Sequence, residues 1–599
     1  MKEPGPSLPI SVEKHKEKYR LPGESFREGC NRIANVLSDG KDHYYALRDL
    51  FLHQKCMPAG RIQAGIGALR QVTAFNCFVS GTIADSFVTG HGSIMGRATE
   101  AAQTMRMGGG IGYDFSTLRP KGAIIKKLGS KSSGPVKFMG IFDAVCSTVQ
   151  SAGHRRGAQM GVLRVDHPDI EEFIHAKQNR TELTQFNVSI ALTDEFMEAV
   201  INDTDFDLKW GGEVYSTVRA TNLWDMIMRS TYDWAEPGVL FIDKINGYNN
   251  LHYCETIAAT NPCGEQPLPP YGACLLGSVN LVKYVKPRTT MIRKIAEDGV
   301  TIPSLELDYA AIARDVHTFV RAMDNVIDRT IYPMHEQEEE AKSKRRLGIG
   351  VTGLANALEA VLGGPTYGSP EFVALEEQVL SLIAIECYKA SIELAKEKGA
   401  FPLFDADKYL APNTWAGRML PQSVRDDIRK YGIRNSHLTS IAPTGTISLT
   451  ADNVSSGVEP VFALSFERTI KGFDSTETEV VTDYGYREFG IKGKTAARVT
   501  VQEHVAVLAA AQKWIDSAVS KTCNVPEDID FDDFKDVYVE AWRQGAKGCT
   551  TYRKGCKREG ILNSLDEEEP KAQPEALSLG EEEGQACFID PLTGRRECG

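Results

Sequence analysis

From about residue 71 to 560, apolar runs of strand length alternate with stretches whose apolar positions recur every three or four residues. This alternation predicts an α/β domain with parallel strands, since a parallel pair needs a long crossover between its members, usually a helix. Two helices have clear limits. Ser369-Pro370 supplies an N-cap and first-turn proline, and Phe372, Leu375, Val379, Ile383 and Cys387 form an apolar stripe running towards a stop at Gly399. Asp308 caps the other, with Ile312, Val316, Phe319 and Met323 on one face. Both stripes read as core. Residues 1–70 read as a small helical N-terminal region, with 24–37 as one helix, and 71–561 as the main α/β domain. The remaining residues, 562–599, read as an acidic flexible linker with a Cys-bearing tail.

Charge sharpens this division. The 599-residue chain has a formal net charge of −12, yet residues 566–583 alone carry eight acids against one lysine. The rest is close to balanced, with no basic face for nucleic acid. Hydrophobic residues make up 42% of the chain, enough for a large core, but no run of 18 uncharged apolar residues suggests a membrane span. The charged, Pro-containing start lacks a signal-type apolar region, so the expectation is a cytoplasmic protein.

Familiar metal and phosphate motifs are absent. The 13 cysteines include no C-x-x-C pair, and Cys30, Cys146 and Cys387 fall in helical patterns as packing residues. Gly348, Gly350 and Gly353 fit G-x-G-x-x-G, but KSKRR precedes them where a dinucleotide fold needs an apolar strand, so close helix packing is the preferred explanation. His335-Glu336 opens like a zinc-protease motif, but Glu339 stands where its second histidine belongs. No Walker A sequence occurs, and no metal site is expected.

The chemistry concentrates in TNPCGEQPLPPYGACLLGSVNL, residues 260–281. Asn261, Cys263 and Glu265 alternate with Pro262 and Gly264, and an extended loop would project all three polar side chains to one side. A neighbouring carboxylate raises a thiol pKa, which disfavours thiolate chemistry. The set suits a cysteine that exchanges hydrogen atoms beside a glutamate acting as general base.

NPCGE followed by CLLGSVNL resembles the finger loop of ribonucleotide reductases, and P-C-G-E-Q-P-L is similar to the adenosylcobalamin-dependent class. Five further segments match that family in order: FNCFVSGTIADS at 75–86, GGGIGYDFSTLRPKGA at 108–123, AGHRRGAQMG at 152–161, APTGTISLTADNVSSGVEPVF at 442–462 and GAKGCTTYRKGCKREGIL at 545–562. The resemblance implies a ten-stranded α/β barrel of two five-stranded half-barrels, with the Cys263 loop through its centre. It makes Cys263 the thiyl radical that takes the ribose 3′-hydrogen, Glu265 the base for the 3′-hydroxyl and Asn261 a partner of the sugar hydroxyls. Cys77 and Cys274 become the redox pair that supplies two electrons.

The same resemblance makes Thr444, Gly445, Thr446, Ile447 and Ser448 the substrate phosphate cradle, a role that small hydroxyl-bearing residues at a helix start can serve. Asn76 and Gly110 line the cavity. Asp85, Ser86 and Arg119 match a deoxynucleoside triphosphate effector site between two subunits of a homodimer, with residues 122–134 and 150–157 as specificity loops and Arg155 reaching towards the substrate base. Cys587 and Cys598 become a tail dithiol fed by thioredoxin or glutaredoxin, although the ten residues between them exceed the family's usual spacing. Cys77 comes too early for an N-terminal ATP cone, so on/off control by ATP and dATP is not expected.

An oxygen-dependent large subunit would need two adjacent tyrosines near the C-terminus, where this chain has a lone Tyr552. A glycyl-radical enzyme would lack Glu265 and would carry an R-x-x-G-Y motif. Adenosylcobalamin is therefore the expected radical source. The alternatives are an oxygen-dependent large subunit with a radical-generating partner, and a non-catalytic deoxynucleotide-binding protein with a thiol-exchange tail.

Overall fold

A computed structural model describes residues 4–126, 128–149, 158–178, 181–295, 301–471, 476–557, 563–564, 588–590 and 595–597. The sequence-expected helices form where their caps stand. Ser369 Oγ accepts from Phe372 N at 3.2 Å at the head of the helix Pro370–Lys398, and Gly399 ends it at φ 83°. Asp308 accepts from Ala311 N at 3.1 Å ahead of Tyr309–Arg329. The N-terminal region contributes the helices Pro9–Tyr19, Phe26–Leu37 and Lys41–Leu52.

Ten strands join in one sheet: β1 (Cys56–Pro58), β2 (Cys77–Val79), β3 (Gly110–Asp114), β4 (Gln159–Arg164), β5 (Phe186–Leu192), β6 (Gly238–Phe241), β7 (Ala273–Asn280), β8 (Leu347–Thr352), β9 (Thr522–Val525) and β10 (Gly548–Arg553). Their order is β1-β7-β2-β3-β4-β5-β6-β10-β9, with β8 also on β7. Strands β2 to β6 form a block of five parallel strands. Antiparallel pairings of β7 with β2 and of β10 with β6 bound that block, and β7 with β8 and β9 with β10 are parallel again.

Among the described residues the ladder pairings do not close on themselves, whereas the resemblance implies a closed barrel. In the gap between β8 and β9 lie two extended segments joined by single bridges, Ile349 to Thr439 and Ile441 to Val519. Both sheet faces are buried, and strands such as β5 are buried along their whole length. The outward residues Phe78, Ile111, Phe186 and Ile190 pack in the large core under the helices. The opposite face gathers Val79, Met160, Val162, Ala191, Leu240 and Leu276 into a second cluster. Among the described residues, no helix is long and apolar enough to cross a membrane.

Candidate active site

Between β6 and β7 the chain makes a short ladder, Ala259–Thr260 against Pro267–Leu268, closed by residues 261–266. The closure is a tight turn rather than the extended run expected from alternation. Gly264 N donates to Asn261 O at 3.1 Å, Asn261 N to Gln266 O at 3.1 Å, and Gln266 N to the Asn261 side-chain oxygen at 2.9 Å. Gly264 at φ 83° permits the reversal, a conformation that glycine adopts without steric cost. Asn261, Cys263 and Glu265 are all buried.

The sheet grips this loop from several sides through its peptide groups. Asn187 of β5 donates to Pro262 O at 3.0 Å. Ser520 Oγ donates to Cys263 O at 3.0 Å. Ala518 N and Ser440 Oγ donate to Glu265 O at 3.1 and 2.9 Å. On β3 the fit is close enough to dictate residue type: a Cβ on Gly112 would stand 1.8 Å from Thr260 O, and one on Gly110 3.2 Å from Pro262 Cγ. Sequence reading found Gly110 but missed Gly112, Asn187, Ser440, Ala518 and Ser520. The glycine run 108–112 was a usable signal of close backbone approach; the other four carried none.

The loop also reaches the first cysteine of the expected redox pair. Asn261 Nδ2 lies 3.2 Å from Cys77 Sγ. Cys77 stands directly opposite Cys274 in the antiparallel register of β2 and β7. Directly opposed residues in such ladders have α-carbons about 4.5–5.5 Å apart, inside the range that a disulfide can bridge. Cys263 itself is disulfide-bonded in this structure, a bond in which Cys77 takes no part. The state shown is therefore oxidised at Cys263, and hydrogen-atom chemistry there first requires reduction. Asn76 O accepts from Gly110 N at 2.9 Å, placing both beside the same loop.

Thr444 begins the short helix Gly445–Leu449 in a left-handed conformation, φ 55°. Its hydroxyl lies 3.1 Å from that of Thr352 at the end of β8 and accepts from Gly457 N at 2.7 Å. Ser448 Oγ donates to Gly445 O at 3.0 Å and meets Ser456 Oγ at 2.8 Å. Thr444, Gly445, Thr446, Ile447 and Ser448 thus form one turn-and-helix unit, tied to the sheet through Thr352. Gly348 and Gly350 lie within β8 itself. A Cβ on Gly350 would fall 2.3 Å from Ser440 O, so the close approach is to an extended segment, not to a helix.

Two buried charge groups hold the segment carrying Ser520. The carboxylate of Glu459 accepts from Lys521 Nζ at 3.0 Å and Thr522 N at 2.7 Å. At the other end, Lys547 Nζ donates to Asp516 O and Ser517 O, each at 2.6 Å. Burial lowers the Lys547 pKa to about 8, against the opposing effect of Asp516. Burial also raises the Asp516 pKa, although Leu438 N, Thr439 N and Tyr388 Oη donate to its carboxylate.

Away from the loop, Arg119 Nε donates to Asp85 Oδ2 at 2.6 Å and Arg119 N to Asp85 Oδ1 at 3.2 Å. Ser86 lies alongside, its hydroxyl accepting from Thr89 N at 3.2 Å. The three expected effector residues are thus together. Arg155, Cys587 and Cys598 lie outside the described residues, and for Cys274 the description extends to the backbone only.

Residues 75–552 match the family model described as "Ribonucleotide reductase, barrel domain". The chain belongs to the ribonucleotide reductase family. It is 35% identical to the "Vitamin B12-dependent ribonucleoside-diphosphate reductase" of Mycobacterium tuberculosis (strain CDC 1551 / Oshkosh), over 96% of this chain and 82% of that protein. It is also 35% identical to the Thermoplasma acidophilum protein of the same description, over 78% of this chain and 60% of that one. A more distant relative, the "Ribonucleoside-diphosphate reductase subunit alpha" of Chlamydia pneumoniae, is 26% identical over 76% of this chain and 49% of its own length. The reductase match spans both the Cys263 loop and the Thr444–Ser448 segment.

Proposed function

We propose that this reductase converts ribonucleoside di- or triphosphates to 2′-deoxyribonucleotides by thiyl-radical chemistry at Cys263, within a ten-stranded barrel of two five-stranded halves. The observation that carries the reading is the 3.2 Å contact of Asn261 Nδ2 with Cys77 Sγ, which joins the radical loop to the redox pair. With Cys263 reduced, its thiyl form takes the 3′-hydrogen atom of the ribose. Glu265 accepts the 3′-hydroxyl proton, a role within reach of a carboxylate. The 2′-hydroxyl leaves as water after gaining a proton. Cys77 and Cys274 supply two electrons and two protons as their sulfurs join, and Cys263 returns its hydrogen atom to C3′. Thr444 to Ser448 hold the phosphates, while Asn76 and Gly110 line the sugar pocket.

The names of the Mycobacterium and Thermoplasma relatives support adenosylcobalamin as cofactor. When bound, it supplies the radical that oxidises Cys263. The loop holds an unsatisfied polar group: Gln266 is fully buried, and both atoms of its carboxamide lack a hydrogen-bond partner among the described residues. Leaving such a group unsatisfied costs about 1–3 kcal/mol, an expense that a bound polar molecule would remove. Cobalamin contact is assigned to Gln266 on this basis.

The wider reading keeps a helical region at 1–70, the catalytic domain at 71–561 and a tail at 562–599. Cys587 and Cys598 relay electrons from thioredoxin or glutaredoxin, and a deoxynucleoside triphosphate binds at Asp85, Ser86 and Arg119 of a cytoplasmic homodimer, with Arg155 transmitting to the substrate base. The test is anaerobic incubation of the chain with adenosylcobalamin, dithiothreitol and either CDP or CTP. Formation of deoxycytidine nucleotide is expected, and its absence with both substrates overturns the reading. Glu265→Gln should lose at least 100-fold in turnover, the scale of a general base; an unchanged rate makes Glu265 structural.

A further inference from the structure

We propose that Ser520 and Asn187 are positioning residues that fix the Cys263 sulfur by gripping two consecutive carbonyls of its loop from two separate parts of the sheet. The inference rests on the thiyl reading above and deepens it. Asn187, on β5, donates to Pro262 O at 3.0 Å. Ser520, in the segment leading into β9, donates to Cys263 O at 3.0 Å. Those carbonyls lie in the two peptide planes on either side of the Cys263 α-carbon, so together they set the orientation of both planes and hence the direction of the Cα–Cβ bond that carries the sulfur.

Each donor sits on a rigid support. Asn187 belongs to a strand paired on both sides, with β4 and β6. Ser520 N is bound to Ile441 O at 2.8 Å, and its neighbours Lys521 and Thr522 share the Glu459 carboxylate. Both donors are nearly fully buried, 7% exposed each, so water does not compete freely for the carbonyls that they hold. A hydrogen-atom transfer depends steeply on the separation of the reacting atoms. A 1 Å misplacement arising away from the reacting centre can cost about 100-fold in rate. These two bonds act on the carbonyls of the loop and not on the side chains of Asn261, Cys263 and Glu265.

The test uses the full chain and two nearly isosteric replacements, Ser520→Thr, which keeps the hydroxyl, and Ser520→Val, which removes it. Turnover of CDP or CTP with adenosylcobalamin is measured beside substrate KM, and alkylation of reduced Cys263 by iodoacetamide is followed by peptide mass spectrometry without the coenzyme. Expected is a 10- to 100-fold lower kcat for the Val variant relative to Thr, with KM within twofold and faster alkylation at Cys263. Asn187→Ala should lower kcat similarly. Combined with Ser520→Val it should cost far less than the product of the two fold-changes, because either loss alone frees the same loop. Equal kcat for Thr and Val variants overturns the proposal while leaving the reductase reading intact. If the wild-type chain forms no deoxynucleotide, the reductase reading fails, and alkylation alone decides: equal rates for Thr and Val overturn the clamp, a faster Val variant retains it.

Discussion

The Cys263 loop and the Asp85–Arg119 pair are both expected binding regions, but they are built in opposite ways. The loop is held by donors to its peptide carbonyls, is buried, and lies against a strand that tolerates no Cβ at Gly112. The Asp85–Arg119 contact is made chiefly by charged side chains, each about a quarter exposed to solvent. The first arrangement suits chemistry that needs fixed distances. The second suits a ligand that must come and go, because an arginine can exchange its carboxylate partner for a phosphate with little reorganisation.

The largest expected effects fall on the loop. Cys263→Ser should abolish turnover while nucleotide binding persists, because a serine O–H bond is too strong for reversible hydrogen transfer. Repeated turnover by that variant would remove the radical assignment. Gly112→Ala should push the loop away from β3 and lower kcat by about 100-fold or more; a wild-type rate would mean that the loop is loosely seated, and the contrast with the Asp85 region would collapse.

A middle-sized effect probes the buried interior. Glu359, in the helix Leu354–Leu362, accepts from Tyr367 N and Lys494 N, and burial raises its pKa from 4.5 to about 7. Between those values the folded protein holds a proton that the unfolded chain has released, so stability falls as pH rises from 4.5 to 7. Glu359→Gln keeps an acceptor and removes the charge. It should stabilise the protein at pH 8 by up to about 3 kcal/mol and change it little at pH 4.5. Denaturant unfolding at the two pH values measures this, and equal effects at both would refute it.

The smallest effect is expected at the surface. Asp85→Ala should cost less than about 1 kcal/mol of stability, reduced further by salt, as for other partly exposed ion pairs. It should nevertheless blunt any change in preferred substrate base caused by dTTP, dATP or dGTP. A large loss of stability would make the pair structural and erase the difference between the two regions. Substrate preference indifferent to all three effectors in the wild-type chain would withdraw the regulatory role.

Local signals in the sequence translated faithfully into structure. Ser369-Pro370 and Asp308 start the helices they were expected to start, since a cap acts within one turn. The alternating apolar pattern foretold parallel strands, and five stand side by side. The shape of the Cys263 loop was misjudged, because alternation presupposes an extended backbone and Gly264 reverses it. Gly348 and Gly350 were read as packing against a helix, whereas strand β8 meets the backbone at Ser440. The opposition of Cys77 and Cys274 depends on β2 and β7 being neighbours, and Ser520 meets Cys263 only because the chain returns to the loop ahead of β9 after more than two hundred residues. Relations of that kind leave no mark in local spacing.

The strand order also bears on the sequence of events during synthesis. Strands β2 to β6 follow one another along the chain and are neighbours in the sheet, so each finds its partner soon after it leaves the ribosome. Strand β1 is different: Met57 is paired with Ser278, and among the described residues no other strand flanks it. It must wait, with its apolar residues covered only by nearby helices, until β7 has emerged. Strands β9 and β10 arrive last and bring Ser520 to the loop. Closing such long-range contacts is slow because the entropy of the intervening chain is lost first. Cys263 therefore acquires its full set of backbone anchors only when most of residues 71–561 have been translated.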